Sequence, residues 1–253
     1  AEAVTEEKIT SRKNPLIQQT RKLLTSRKAR RELGLFVSDG TKLLEEAARH
    51  CQGLETVFLS EGVEAKVPGH CRIIRVSREV MEAISPMETP QGAVFVCRLP
   101  QEVPFRPERG MLLLDGIQDP GNLGTILRTA DAWNVKVALL EGCADPFSHK
   151  VVRSSMGAVF RRDVAVTTWA QARDALRDAG IPIAVTALND QARDIRQAAV
   201  ENMAVVIGSE GQGVRQEILQ AAAEALIIPM NPHCESLNAA VAATAVMWQM
   251  GKM

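Results

Sequence analysis

The second half of the chain alternates apolar runs with amphipathic segments, and this alternation limits its possible folds most strongly. The runs are continuous, with no polar residue at every second position, which is typical of strands buried on both faces. Five of them lie at residues 111–115, 135–140, 181–188, 203–209 and 225–230. Helix patterns occupy residues 123–133, 169–179, 214–222 and 237–250. The pattern predicts a parallel sheet with helices on both faces.

The first half predicts a smaller layered α/β domain. Its strand candidates lie at residues 34–40, 55–60, 71–77 and 92–99, and its helix candidates at 15–24, 41–50 and 78–85. Thr41 opens the second helix, and its hydroxyl is a candidate N-cap. Three prolines within residues 99–107 can continue neither a helix nor a central strand. We therefore predict a domain at 1–100, a linker at 101–109 and a second domain at 110–253.

Three predicted strands are followed by segments rich in Gly, Asn and Ser. Ligands of open parallel sheets bind at the carboxyl ends of strands, where these segments begin. They occupy residues 116–132, 210–214 and 231–243. The glycines at 208, 211 and 213 follow G-x-x-G-x-G instead of the dinucleotide pattern G-x-G-x-x-G, and the chain has no G-x-x-x-x-G-K-[ST] phosphate loop. The chain is therefore not expected to bind a nicotinamide cofactor or a nucleoside triphosphate.

Taken together, the three segments resemble the three motifs of the SpoU/TrmH family of RNA 2′-O-ribose methyltransferases, within the SPOUT superfamily. The first is D-G-I-Q-D-P-G-N-L-G-T-I-L-R at residues 115–128, and the second is I-G-S-E-G-Q-G-V at 207–214. The third begins with I-I-P-M at 227–230 and ends with E-S-L-N-A-A-V-A at 235–242. The first half is similar to that family's substrate-binding domain in S-R-K-N-P, at 11–15, and G-L-F-V-S-D-G, at 34–40.

The resemblance implies a fold, an activity and a cofactor. The fold is a parallel-sheet SPOUT domain with a C-terminal trefoil knot, preceded by a small α/β substrate-binding domain related to certain ribosomal proteins. The activity is transfer of a methyl group from S-adenosylmethionine to a ribose 2′-hydroxyl of RNA. The family is dimeric, and its active site draws on both subunits. The bulky residues Met247, Trp248 and Met250 fit either a homodimer interface or the core.

The resemblance also implies site residues. The catalytic candidates are Asn122, Arg128, Glu210, Ser236 and Asn238. The cofactor-binding candidates are Thr186, Ala187, Leu188, Gly208, Ile228, Met230 and Leu237. We expect Arg128 to clamp phosphate and stabilise a developing oxyanion, because a guanidinium is a poor base.

Several of these residues also have a structural interpretation. Asn122 follows a glycine and could be a turn residue, and Ser236 could be the N-cap of the last helix. Asn238 is predicted to lie inside the first turn of that helix, where asparagine does not favour the helix. Glu210 could be an ordinary loop carboxylate, or it could shape the cofactor pocket or position the hydroxyl.

Charge and cysteine content limit which partners and metal ions the chain is expected to bind. The net charge is zero, but the first 35 residues hold nine basic and four acidic side chains, which suits either a polyanion partner or a solvated helix face. Five cysteines without a C-x-x-C pair argue against a disulfide framework and a zinc site, and His233 with Cys234 is too few ligands, so no metal is expected. No apolar run reaches the roughly 18 residues of a membrane helix, and no signal core begins the chain. A cytoplasmic protein without membrane association is therefore predicted.

The leading hypothesis is a ribose 2′-O-methyltransferase acting on ribosomal RNA, because the resemblance includes a substrate-binding domain that tRNA-acting relatives often lack. One alternative is the same chemistry on tRNA. The other is a non-catalytic RNA-binding or assembly protein of the same fold, against which the complete set of five catalytic candidates argues.

Overall fold

A computed structural model describes residues 6–253, which form two compact units. The first contains residues 6–101 and Phe147–Arg161, and the second contains Glu102–Pro146 and Arg162–Met253. The first five residues, which belong to the predicted domain at 1–100 and to the N-terminal segment for which no signal core is predicted, lie outside the described residues. The segment Phe147–Arg161 thus packs with the first unit although its neighbours in sequence belong to the second.

The first unit contains a mixed five-stranded sheet with helices. Its elements in chain order are β1 (Glu7–Ile9), α1 (Pro15–Thr25), α2 (Arg27–Leu33), β2 (Leu35–Asp39), α3 (Thr41–His50), β3 (Leu54–Ser60), β4 (Arg72–Val76), α4 (Arg78–Ile84) and β5 (Ala93–Arg98). The strand order is β1-β4-β3-β5-β2. β1, β4 and β3 are parallel, whereas β5 is antiparallel to both β3 and β2. The predicted α/β layering is confirmed.

Local signals explain how the helices of this unit begin. Asn14 caps α1 through its side chain, with Pro15 in the first turn, and Ser77 caps α4 in the same way. The prediction that Thr41 is the N-cap of α3 is wrong. The chain enters α3 through Gly40 at φ 102°, and the backbone N–H of Thr41 donates to Gln91 Oε1 at 3.1 Å, so the first N–H is satisfied from outside the helix.

The basic N-terminal segment is helical. Its exposed charges Arg21, Lys22, Lys28 and Arg31 lie on α1 and α2. Arg30 differs from them because it is buried, and its Nη1 donates to the carbonyl oxygen of Leu23 at 2.8 Å. Arg30 therefore belongs to the packing of the unit and not to a surface that could meet a polyanion.

Two short helices complete the first unit: α6 (His149–Ser154) and α7 (Ala158–Arg161). Phe147 and Phe160, at the two ends of this segment, lie with ring centroids 5.1 and 6.2 Å from that of Phe36 on β2. Arg153 forms an ion pair with Asp39, the last residue of β2, whose carboxylate is buried. The buried ion pair and the aromatic cluster account for the inclusion of this segment in the unit.

The second unit is built on a seven-stranded sheet. Its strands are β6 (Met111–Asp115), β7 (Val137–Leu139), β8 (Ala165–Val166), β9 (Ile183–Thr186), β10 (Arg193–Asp194), β11 (Ala204–Gly208) and β12 (Glu224–Ile227). The order is β10-β12-β9-β11-β6-β7-β8, and every neighbouring pair is parallel. The predicted parallel sheet is confirmed, with all five apolar runs contributing a strand.

Four helices of 6 to 13 residues accompany this sheet: α5 (Pro120–Ala132), α8 (Trp169–Asp178), α9 (Gln216–Ala221) and α10 (Ala239–Met250). Two 3₁₀ turns, Ile195–Gln197 and Val200–Asn202, lie between β10 and β11. The carboxyl ends of β6, β11 and β12 lead into the three motif segments, as expected for a site at that edge of a parallel sheet.

Candidate active site

One residue from each motif meets in a single hydrogen-bonded cluster. Asn122 Nδ2 donates to Glu210 Oε1 at 2.9 Å, and Asn238 Nδ2 donates to the same oxygen at 3.0 Å. Asn238 Nδ2 also donates to Asn122 Oδ1 at 3.0 Å. The backbone N–H of Ala239 is a further donor to Glu210 Oε1, at 3.0 Å. Three N–H groups therefore converge on one carboxylate oxygen, a strong arrangement because the acceptor is charged.

Asn238 is the N-cap of α10, so its predicted place inside the first turn is wrong. Its Oδ1 accepts from the backbone N–H groups of Ala240 at 2.9 Å and Val241 at 3.2 Å. These bonds satisfy two of the N–H groups that a helix start leaves unpaired. Because Oδ1 is held by the helix, Nδ2 must point away from it, toward Glu210 and Asn122. The residue thus stabilises the helix and orients the cluster at once.

Asn122 lies in the first turn of α5 and is not a free turn residue. The preceding Asp119 caps this helix, and its Oδ1 accepts from the backbone N–H of Asn122 at 2.8 Å. Ser236 does not cap α10, because the helix begins two residues later than that role requires. Ser236 instead lines the neighbouring cavity.

A cavity of about 520 Å³ adjoins the cluster. Its wall contains all seven residues predicted to bind the cofactor: Thr186, Ala187, Leu188, Gly208, Ile228, Met230 and Leu237. Glu210 and Ser236 also line it, whereas Asn122, Arg128 and Asn238 do not. The residues that sequence reasoning missed come mostly from the same loops: Asn189, Ser209, Gly211, Gln212, Gly213 and Val214.

The second-motif loop folds back tightly along this wall. A Cβ atom on Gly208 would lie 2.1 Å from the carbonyl carbon of Gly213, a distance that no side chain tolerates. Gly213 has φ 66°, in the left-handed region that favours glycine. Its N–H donates to the carbonyl oxygen of Ser209 at 2.8 Å. Gly208 and Gly213 therefore allow the loop to close.

Arg128 is separate from the cluster. It lies on α5, six residues after Asn122, which places it roughly 9 Å further along the helix and about 120° around its axis. Its side chain is exposed and has no hydrogen bond or ion pair with any of residues 6–253. The structure thus brings Asn122, Glu210 and Asn238 together and leaves Arg128 outside the cavity.

The end of α10 separates into core and surface residues. Met247 and Met250 are 1% and 3% exposed and pack in the interior. Trp248 is 58% exposed and Val241 on the same helix is 54% exposed. The Trp248 ring lies edge-on to Trp133, with ring centroids 5.2 Å apart. Of the three residues considered for an interface, only Trp248 presents an apolar surface.

The size and the lining of the cavity fit S-adenosylmethionine. Its volume lies within the roughly 300–1,000 Å³ of small-molecule sites, and aliphatic side chains alternate with glycine-rich backbone along its wall. Apolar side chains such as Ile228 and Leu237 suit a purine face, and a nearby carboxylate suits a cationic centre.

Within residues 6–253 no group of three His, Cys, Asp or Glu side chains is arranged to hold a metal ion. The same residues include no helix long and apolar enough to span a membrane.

Comparison with known proteins agrees with this geometry. Residues 110–248 match the model of the SpoU rRNA Methylase family, and residues 14–94 match the MRM3-like substrate binding domain. The two matches have the order of a two-domain RNA methyltransferase. The chain belongs to the SpoU rRNA Methylase family. The predicted family, the S-adenosylmethionine-dependent activity on RNA ribose and the two-part α/β fold are thereby confirmed.

Individual relatives extend over both halves of the chain. The 23S rRNA (guanosine(2553)-2′-O)-methyltransferase RlmP of Bacillus subtilis (strain 168) is 33% identical over 249 residues, covering 96% of this chain and 98% of that protein. An AdoMet-bound rRNA methyltransferase from Sinorhizobium meliloti superposes with a TM-score of 0.84 at 27% identity, covering 96% and 97%. The SpoU methyltransferase AviRb from Streptomyces viridochromogenes, in complex with AdoMet, gives 0.82 at 26%, covering 94% and 97%.

Proposed function

We propose that this protein methylates a ribose 2′-hydroxyl in ribosomal RNA. The observation that carries the proposal is the contact of Asn122, Glu210 and Asn238, one residue from each motif, beside a cavity of suitable size. Ribosomal RNA is favoured over tRNA because a relative named as a 23S rRNA methyltransferase aligns with nearly the whole chain. The intact cluster argues against a non-catalytic protein of the same fold.

The cavity is the proposed cofactor site. S-adenosylmethionine supplies an electrophilic methyl group there when it is bound. Thr186, Ala187 and Leu188 form one part of its wall, Gly208 a second, and Ile228, Met230 and Leu237 a third. These residues would exclude water from the reacting centre and hold the cofactor in one orientation, which supplies a large part of the rate enhancement in a transfer between two bound molecules.

Glu210 is the proposed partner of the ribose hydroxyl. Its Oε1 is occupied by three N–H donors, whereas its Oε2 has no hydrogen-bond partner among the described residues. Oε2 is therefore available to accept a hydrogen bond from the hydroxyl and to orient the attacking oxygen. Asn122 and Asn238 would act through Glu210 by fixing its position, and Ser236 on the cavity wall would contact substrate or cofactor.

Arg128 is proposed to act across a homodimer. It lies outside the cavity of its own chain, on a helix that packs against α10 with its exposed Trp248 and Val241. An interface on these helices would bury the apolar residues and allow Arg128 to reach the site of the partner subunit. There its guanidinium would clamp phosphate and stabilise the developing oxyanion.

The remaining assignments follow from the same proposal. The domain at residues 1–100 would bind RNA through the exposed charges of α1 and α2, with residues 101–109 leading to the methyltransferase domain at 110–253. The last segment, in which α10 packs against both α5 and β11, would form the trefoil knot that the resemblance implies. An enzyme that modifies ribosomal RNA would act in the cytoplasm.

The direct test is methylation of total bacterial RNA with labelled S-adenosylmethionine and no added metal. Label should enter ribosomal RNA and survive base removal as a 2′-O-methyl ribose. Label in tRNA, on a base, or in no RNA would contradict the proposal.

A mixed dimer tests the trans arrangement. Glu210→Gln and Arg128→Ala subunits, each strongly impaired alone, should regain activity when combined, because one of the two sites in each mixed dimer then has both residues. If Arg128 acts within its own subunit, no combination restores activity.

A further inference from the structure

Arg215 links the second-motif loop to the ends of two strands. Its backbone N–H donates to Asp115 Oδ2 at 2.9 Å, and its Nε donates to Asp115 Oδ1 at 2.8 Å. Its Nη2 donates to Glu141 Oε2 at 2.6 Å, and its Nη1 donates to Glu217 Oε1 at 3.2 Å. Asp115 is the last residue of β6, and Glu141 lies just beyond β7. One side chain thus spans the edge of the sheet where the motif loops begin.

The partners of Arg215 are themselves fixed. Asp115 is 3% exposed, and a buried carboxylate is retained only when it is paired. The other oxygen of Glu141, Oε1, accepts from the backbone N–H of Trp169 at the start of α8. Asp115 and Glu141 are therefore anchored in the sheet and in a neighbouring helix start, so they can define where Arg215 lies.

Arg215 directly follows the loop that carries Glu210. The loop is closed at its beginning by the tight approach of Gly208 to Gly213 and at its end by the Asp115–Arg215 pair. Between these two points its internal hydrogen bonds are few: Gly213 N–H to the Ser209 carbonyl, and Gln212 N–H to Ser209 Oγ at 3.3 Å. Apart from the three N–H donors on Glu210 Oε1, these two closures are the main constraints on the loop.

We propose that Arg215 is a positioning residue, which through its pairs with Asp115 and Glu141 holds the second-motif loop so that Glu210 and the loop's part of the cavity wall are correctly placed. Arg215 does not touch the cavity itself. The proposal deepens the proposed function and rests on it. A lysine cannot replace Arg215 fully, because a single ammonium cannot engage both carboxylates with the fork of donors that a guanidinium provides.

Binding and turnover measurements test this role. Arg215→Ala should raise the Kd for S-adenosylhomocysteine at least about tenfold, as expected for removal of a coupled charge network. It should lower kcat at saturating cofactor and leave the KM for RNA unchanged. Arg215→Lys should recover part of both losses. Glu217→Gln is the matched control, because it removes the exposed partner of Arg215 and should leave binding and turnover unchanged.

Two further readouts separate positioning from general stability. In the Arg215→Ala background, Glu210→Gln should reduce kcat less than it does in the wild-type chain, since the carboxylate is already displaced. Hydrogen exchange of the cofactor-free protein should show faster exchange in residues 209–214 and unchanged exchange in β6. If Arg215→Ala does not fold, Asp115→Asn is measured in the same way, because it removes the charge and preserves the side-chain shape.

The outcomes distinguish the two proposals. Normal cofactor affinity, kcat and loop exchange in a folded Arg215→Ala chain would overturn the positioning role. A melting temperature that falls while all three stay normal would overturn it as well. Failure of the wild-type chain to bind S-adenosylhomocysteine would instead overturn the proposed function, and the exchange measurement would still decide whether Arg215 holds the loop.

Discussion

Asn238 combines helix capping and site assembly, and two substitutions should separate these roles. Asn238→Ala removes the acceptor for the Ala240 and Val241 N–H groups as well as the donor to Glu210 and Asn122. Asn238→Ser keeps a short side-chain oxygen that caps nearly as well as asparagine, but it removes the amide donor. The two variants therefore both lose the amide donor, but only Asn238→Ser keeps a cap.

The magnitudes follow from the hydrogen bonds. Both variants lose the amide donor and only Asn238→Ala also loses the cap, so the free energy of unfolding of Asn238→Ala should lie about 1 kcal/mol below that of Asn238→Ser. Loss of the donor removes one charge-assisted bond to Glu210, for which roughly 1.5 kcal/mol is a minimum. Single-turnover methylation should therefore slow at least about tenfold in both variants.

Urea denaturation and single-turnover methylation of both variants are the required measurements. Equal destabilisation of the two variants would refute the capping argument. Full activity of Asn238→Ser would refute the claim that the amide holds Glu210 in place. A slow reaction in Asn238→Ala alone would show that the helix start, and not the donor, matters for catalysis.

Three other predictions address the loop, the guanidinium and a thiol. Gly208→Ala should destabilise the protein by about 1–3 kcal/mol and weaken cofactor binding, because its methyl group would meet Gly213; Gly211→Ala, with open space at its Cβ, should keep wild-type stability in the same thermal melts. Arg128→Ala should slow single-turnover methylation by roughly a hundredfold, with cofactor affinity unchanged, and Arg128→Lys should recover little of the rate; loss of affinity instead would contradict an RNA-facing role. A hydrogen bond with the Cys97 thiol lowers the pKa of Cys51 to about 7, and this effect is larger than the opposing effect of burial. Alkylation of Cys51, followed by mass spectrometry, should therefore accelerate as pH rises through about 7. Cys97→Ala should move that midpoint upward, and a wild-type midpoint near 9 would contradict the assignment.

The parallel sheet could be predicted because its strands are buried on both faces. Residues 111–115 match β6 without a shift, since a Gly precedes the run and a buried Asp ends it. The two-residue strands β8 and β10 could not be predicted, because they are too short to show a period and exist only through pairing with a neighbour. The packing of Phe147–Arg161 with the first unit could not be predicted either, since it depends on contacts between aromatic residues that are distant in sequence.

The site residues could be proposed from motif resemblance, but their geometry could not. The predicted start of the last helix at residue 237 lies two residues before the observed start at Ala239. Such an error is ordinary for helix ends, yet here it changes the role of Asn238 from an unfavourable interior residue to a cap. Arg215 could not be predicted as a site residue, because its partners Asp115 and Glu141 lie 100 and 74 residues away in sequence.

The capping geometry links folding of α10 to formation of the site. When α10 begins at Ala239, two donors become fixed relative to Glu210: the N–H of Ala239, which belongs to the helix start, and the amide of Asn238, which the helix orients through Oδ1. Both depend on the same helix boundary, so a shift of one residue would misplace them together. The helix dipole adds to the attraction, because a carboxylate at a helix N-terminus is stabilised by roughly 0.3–1 kcal/mol at an exposed position. The third motif therefore acts as one unit, in which S-L-N supplies a cavity residue, an apolar wall residue and a cap, and the second motif supplies the carboxylate that the cap holds.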